Sequence, residues 1–134
     1  MIDFLEIARN SVSLLKNREK FDASLKDASV RNCQVATFSS KHFVIEVYYS
    51  HYTHEIDTIY AIHKSKKYCD LYRVFKAIGF GQDNLPNFIC ISNNENMEKF
   101  FSKLMRYIDE RLELLSDTSK IEKQLVNEWR KETS

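Results

Sequence analysis

Glycine and proline are nearly absent from this chain, with 2 and 1 in 134 residues. Glycine-rich phosphate cradles and long irregular loops are thereby all but excluded, because both draw on residues that take positive φ or interrupt a ladder. Cysteine is sparse as well. Cys33, Cys69 and Cys90 are odd in number and widely spaced, and they form no Cys-x-x-Cys pair. That fits reduced thiols in a cytoplasmic protein better than a disulfide framework. No charge sign dominates: 20 Lys plus Arg stand against 19 Asp plus Glu, and the two signs are mixed along the whole length. With no basic arm or stripe, no nucleic-acid partner is expected. No apolar run approaches the roughly 20 residues of a membrane-spanning helix. The acidic, amphipathic start of the chain does not read as a signal peptide. No membrane partner is expected.

What is present is apolar and aromatic. A hydrophobic fraction of 43% with 13% aromatics argues for a folded core, and the length suits a single domain over 1–134. The densest stretch runs from His42 to Lys64. Phe43, Ile45, Val47 and Tyr49 recur at period two, as do Ile56, Thr58, Tyr60 and Ile62, so each set shares one face of a strand. Ser50 to Thr53 read as the connecting loop of a β-hairpin. That loop sets Tyr49 against His54, Val47 against Ile56, Ile45 against Thr58 and Phe43 against Tyr60. On the other face it sets Glu46 directly across from Asp57, a pairing of like charges that destabilises a sheet unless water, a nearby lysine or a partner relieves it.

Around the hairpin the pattern is helical. Ile2, Leu5, Ala8, Val12 and Leu15 predict an amphipathic helix from Ile2 to about Arg18. Val30, Cys33, Val35 and Phe38 predict a first strand, and Tyr68 and Cys69 a short one. Leu71, Val74, Phe75 and Ile78 predict a helix capped by Asp70 and ended by Gly79. Gly81 to Pro86 read as a loop and Phe88 to Ile91 as a short buried strand. Asn93 or Asn94 caps a long helix striped by Met97, Phe101, Leu104, Ile108, Leu112 and Leu115. Ser119 and Glu122 have capping-box spacing for a last helix lined by Ile121, Leu125 and Trp129. With strands in the middle and helices at both ends, the fold class is α+β: an antiparallel sheet of about three to five strands, with the helices packed on one face.

Catalytic signals are weak. His51 and His54 are spaced like metal ligands, but zinc sites want three or four placed donors, and polar residues are ordinary in a hairpin loop. The cysteines have no base nearby in sequence and read as small core residues. Glu46, Asp57 and one histidine could form a metal-dependent hydrolase or nuclease site, yet the second strand lacks the Glu-x-Lys such sites commonly carry. No metal, cofactor or catalytic residue is expected. Tyrosines near the hairpin tip suit an interface, being apolar at one end and wet at the other. The expected binding residues are Glu46, Tyr48, Tyr52, Glu55 and Asp57, with the Trp129 helix as the competing surface.

The hairpin Phe43 to Ile62, followed by the segment Tyr68 to Phe75, resembles the organisation of small bacterial immunity proteins that neutralise contact-dependent-inhibition and related polymorphic toxins. The resemblance implies a non-enzymatic, toxin-binding protein in the cytoplasm, monomeric or homodimeric. A net charge of +1 points to a mixed-charge interface rather than mimicry of nucleic acid. The alternatives that stay open are the small hydrolase or nuclease and a dimerising adaptor subunit.

Overall fold

In the computed structural model, residues 2–27, 33–79 and 90–131 are described. The predicted N-terminal helix ends early. Helix α1 spans Phe4–Ser11, continues as a 3-10 turn over Val12–Leu14, and gives way to extended backbone at Leu15. Two serines divert it: Ser11 Oγ donates to the carbonyl of Ala8 (2.6 Å) and Ser13 Oγ to that of Asn10 (2.8 Å). Such back-bonding competes with continuation of the helix. The Lys16 amide then donates to Asp109 Oδ2 at 2.8 Å, fastening the turn to a later helix.

A strand that the sequence did not advertise follows: β1, Asp22–Asp27. Its positions in register with the inward residues of β2 are Ala23, which is exposed, Leu25 and Asp27, too weak an alternation to stand out, as befits an edge strand. The remaining strands are β2 (Cys33–Ser39), β3 (Phe43–Ser50), β4 (Ile56–Ile62), β5 (Lys67–Asp70) and the two-residue β6 (Arg130–Lys131). They form one antiparallel meander in the order β1-β2-β3-β4-β5-β6. Val30, Gly81 to Pro86, and Phe88 with Ile89, for which a strand or loop was expected, lie outside the described residues. Cys90 makes an isolated bridge to Glu55.

The hairpin faces are as expected but the register is not. Tyr49 pairs with Ile56, Val47 with Thr58, Ile45 with Tyr60 and Phe43 with Ile62, two residues away from the expected pairing. The loop still has four residues, but they are His51 to His54. Its closure explains the shift. His54 N–H donates to the carbonyl of Ser50 (2.7 Å), and His54 takes φ 61. Closing one residue earlier would place the β-branched Thr53 at that left-handed position, where branched side chains are strongly disfavoured. The β4–β5 turn repeats the device: Lys66 N–H donates to the carbonyl of Ile62 (2.9 Å), with Lys66 at φ 56.

Helix α2 (Leu71–Ala77) starts directly from β5, with Asp70 accepting from Tyr72 N–H and Gly79 at φ 86 past its end. Asn93 caps α3 (Asn94–Glu110) through Asn96 N–H at 2.8 Å. The long stripe breaks at Arg111 and resumes as α4 (Leu112–Ser116). The last helix, α5 (Thr118–Gln124), is capped by Asp117, which accepts from Lys120 N–H; Ser119 lies inside it, and the expected capping box is not the cap. Aspartate at this position offers a charged acceptor to the same orphan amides.

The helices meet the inward face of the sheet through rings. Phe4 of α1 stacks on Tyr49 with centroids 5.3 Å apart, and Phe101 of α3 lies 6.3 Å from Phe38. Phe43 stacks on Tyr60 at 5.4 Å, and Trp129 covers Tyr60 at 6.2 Å. Tyr60 is fully buried and donates its hydroxyl to the carbonyl of Leu115 at 2.6 Å, tying the sheet to α4. Tyr60→Phe should therefore cost about 1–3 kcal/mol, the usual penalty for stranding a buried carbonyl. Urea denaturation should show a lower midpoint at unchanged slope; an unchanged midpoint would mean that water replaces the hydroxyl.

Candidate protein-binding face

Alternation gives the sheet a second face. Along β3 the inward residues are buried, while Val44, Glu46, Tyr48 and Ser50 are half-buried. Register places their neighbours: Val35 beside Tyr48 and Thr37 beside Glu46 on β2, and Asp57 beside Tyr48, Ile59 beside Glu46 and Ala61 beside Val44 on β4. Tyr68 of β5 continues the row beside Ala61. The outward face thus carries Val35, Val44, Tyr48, Ile59 and Tyr68 around a half-buried carboxylate, Glu46. Val35 is 7% exposed and the others are half-buried.

Four of the five residues expected to bind a partner fall on this face by parity: Glu46 and Tyr48 on β3, Asp57 on β4, and Glu55 just before it. Tyr52 stands at the hairpin tip and is 84% exposed. The expected head-on pairing of Glu46 with Asp57 is overturned by the register. Glu46 sits opposite Ile59, and Asp57 is its diagonal neighbour, a separation of roughly 7–8 Å that softens the repulsion. Instead Glu46 Oε2 accepts from the Tyr48 hydroxyl at 3.2 Å. Val35 and Tyr68 were not foreseen as members of this surface. The signal for Val35 was the alternation of Cys33, Val35 and Thr37 against Gln34, Ala36 and Phe38.

The two histidines of the hairpin loop lie on the other side of the sheet. The Tyr49 hydroxyl donates to the carbonyl of Ile91 (2.9 Å), so the His54 Nδ1 found 2.9 Å away must donate to the tyrosine oxygen. His51 packs edge-on against the Tyr49 ring and hydrogen-bonds Gln34, also on the inward side. The imagined site of Glu46, Asp57 and a hairpin histidine is therefore split across the two faces of the sheet. His63 Nε2 lies 3.0 Å from the carbonyl of Ser40 and 3.1 Å from Ser39 Oγ. A carbonyl only accepts, so that nitrogen carries the proton and does not serve Ser39 as a base. Among the described residues no group of three or more His, Cys, Asp or Glu could hold a metal ion, and no helix is long and apolar enough to cross a membrane. Trp129 is not on the expected helix, which ends at Gln124; it is half-buried, and its indole N–H donates to the carbonyl of Glu122 at 3.2 Å, so this side chain closes the core.

Burial pushes the Cys69 thiol up to about 12, with Asp70 and Glu128 adding to the effect and Arg73 opposing it. Burial likewise raises Tyr60. Both groups fold as neutral acids, so their contribution is intact below the unfolded value, near 9 for the thiol, and is lost as pH rises towards 12. Melting temperature should hold from pH 7 to about 9 and fall above it. At pH 8 the native protein should label rapidly at exposed Cys90. Cys69 should react about a thousandfold more slowly than an ordinary thiol, in proportion to its lost thiolate. Mass spectrometry of the labelled peptides checks this, and fast labelling of Cys69 without unfolding would contradict the assignment.

Comparison with protein-family models, with curated proteins and with solved structures finds no match to the chain.

Proposed function

We propose that this chain is a protein-binding protein, specifically an immunity protein that binds and neutralises a cognate bacterial toxin, and that it binds through the outward face of the sheet. One observation carries the reading: Val44, Tyr48 and Ile59 are half-buried and partly accessible around Glu46, while the inward side chains of β3 are fully covered. Apolar and aromatic side chains surrounding a charged anchor are the usual make-up of an interface hot spot. The placement of His51 and His54 on the face opposite Glu46 and Asp57 supports binding over hydrolysis. The resemblance of the hairpin and the Tyr68 to Phe75 segment to immunity proteins supplies the particular partner class.

The test is neutralisation. The product of the gene immediately upstream is expressed in a bacterial host alone and together with this chain. Growth arrest by the first, relieved by the second with recovery of a stoichiometric complex, is the expected result. A harmless neighbour, or a toxic one that this chain neither binds nor relieves, would overturn the reading.

A further inference from the structure

We infer that the β1 edge of the sheet pairs with the β1 edge of a second copy of this chain, antiparallel and centred on Ser24, to give a two-fold dimer. The inference does not depend on the toxin reading. Strand β1 is outermost on its side of the sheet, runs six residues and keeps unbroken register with β2 from Asp22 to Asp27. It carries no proline and no bulge, two common guards of an edge. The ladder tells which of its backbone groups are free. Ser40 N–H donates to the carbonyl of Phe43 at 2.8 Å, and hydrogen-bonded pairs alternate with non-bonded ones along an antiparallel ladder. Phe38 and Ala36 therefore turn their backbone groups to β3. Ser39, Thr37 and Val35 turn theirs to β1, onto Asp22, Ser24 and Lys26. That leaves the N–H and C=O of Ala23, Leu25 and Asp27 pointing away from the sheet, where no strand pairs with them among the described residues. Ala23 on the helix side and Asp22 and Ser24 on the outward side are all exposed, so the edge is open from both faces.

Charge complementarity selects the copy as the occupant. In self-pairing, edge-facing residues must meet edge-facing residues, so the register that sets Asp22 against Asp27 is excluded by the backbone. The permitted register centred on Ser24 sets Ala23 opposite Leu25 of the copy, with about four backbone hydrogen bonds in all. It sets Asp22 opposite Lys26 of the copy, twice by symmetry. These opposite charges occupy non-hydrogen-bonded pairs, where cross-strand side chains come closest. The neighbouring permitted registers lose the match. Centring on Ala23 faces Asp22 with Ser24, and centring on Leu25 faces Lys26 with Ser24 and Ala23 with Asp27. An arbitrary strand has no reason to fit this edge, whereas a copy fits it twice. Paired residues share a face, so the two-fold axis stands perpendicular to the sheet. Both outward faces then lie on one side of a continuous sheet, uncovered by the dimer contact.

One strand pair is a small interface, so the dimer should be weak and concentration-dependent; sedimentation equilibrium of the purified chain from about 5 μM to about 1 mM covers that range. The mass should climb from the 15.9 kDa of one chain towards twice that value. Ala23→Pro removes an edge-facing N–H without touching the β1–β2 ladder, a placement that proline tolerates. It should weaken dimerisation about tenfold or more and leave the far-UV circular dichroism unchanged. Asp22→Lys and Lys26→Asp should each weaken it to a similar degree, because like charges then face each other across the two-fold axis. An equimolar mixture of those two variants should recover the dimer, since each strand again meets the opposite charge. The charge variants decide the matter alone if Ala23→Pro disturbs the fold. A monomer across the whole range, a dimer indifferent to the substitutions, or a mixture no stronger than its components would overturn the inference. None of these results bears on neutralisation of the toxin.

Discussion

Val47→Asp is expected to leave the chain unfolded. Val47 is fully buried at the middle of β3, flanked by Ala36 on β2 and Thr58 on β4. An aspartate there would lie beneath the helices with only the Thr58 hydroxyl within cross-strand reach. One hydroxyl does not satisfy a carboxylate, so the side chain must either be buried unpaired or be protonated. Either route costs several kcal/mol against a typical total stability of about 5–15 kcal/mol. Far-UV circular dichroism and a denaturant titration read the result. The matching control is Ile59→Asp, an equally drastic change in the neighbouring strand but on the outward face. It should stay folded with a loss of about 1–3 kcal/mol, because the new carboxylate also stands directly opposite Glu46 and Asp70. A native melt for Val47→Asp, or unfolding by Ile59→Asp, would mean that the two faces are exchanged.

That pair of variants isolates what was legible in the sequence. Period-two alternation says which residues share a face, and both the core side of β3 and the coincidence of Glu46, Tyr48 and Asp57 outward follow from it. It does not say which residue sits across the strand. A shift of two residues returns every side chain to the same face, so the hydrophobic pattern is blind to it. Here the choice falls to one backbone position: His54 accepts the left-handed conformation that Thr53 would resist. The supposed clash of Glu46 with Asp57 was a product of the wrong register, and the case for the face now rests on accessible apolar side chains instead. The edge strand β1 escapes notice because Ala23, Leu25 and Asp27, which share the inward register, leave almost no apolar pattern. Helix ends at Ser11 and Asp117 turn on single side-chain hydrogen bonds, which periodicity does not encode. Val35 and Tyr68 reach the candidate site from strands on either side of the hairpin, a neighbourhood that only the sheet order supplies.

Glu46→Lys should separate binding from folding. The side chain is half-buried at the surface, opposite Ile59, and it accepts a hydrogen bond from the Tyr48 hydroxyl. Loss of that partly solvated hydrogen bond is a small penalty. A lysine there reaches towards Asp57 on the diagonal and recovers a few tenths of a kcal/mol in cross-strand attraction. The net change in stability should stay within about 0.5 kcal/mol, the usual range for surface positions. Binding is affected far more. On the proposed interface, the substitution removes the carboxylate that would meet a cation of the partner and sets a positive charge against it. Truncating one member of a desolvated charge pair costs about 2–5 kcal/mol, and adding repulsion moves the loss to the upper part of that range. In affinity this is a loss of roughly a thousandfold, since each 1.4 kcal/mol is a factor of ten. Paired measurements decide it: thermal melting of the variant, and its ability to relieve growth arrest by the proposed toxin, with affinity measured on the complex the proposal expects. An unaltered melt with lost protection is the expected outcome. Full protection by a folded Glu46→Lys protein would take the outward face of the sheet out of the interface.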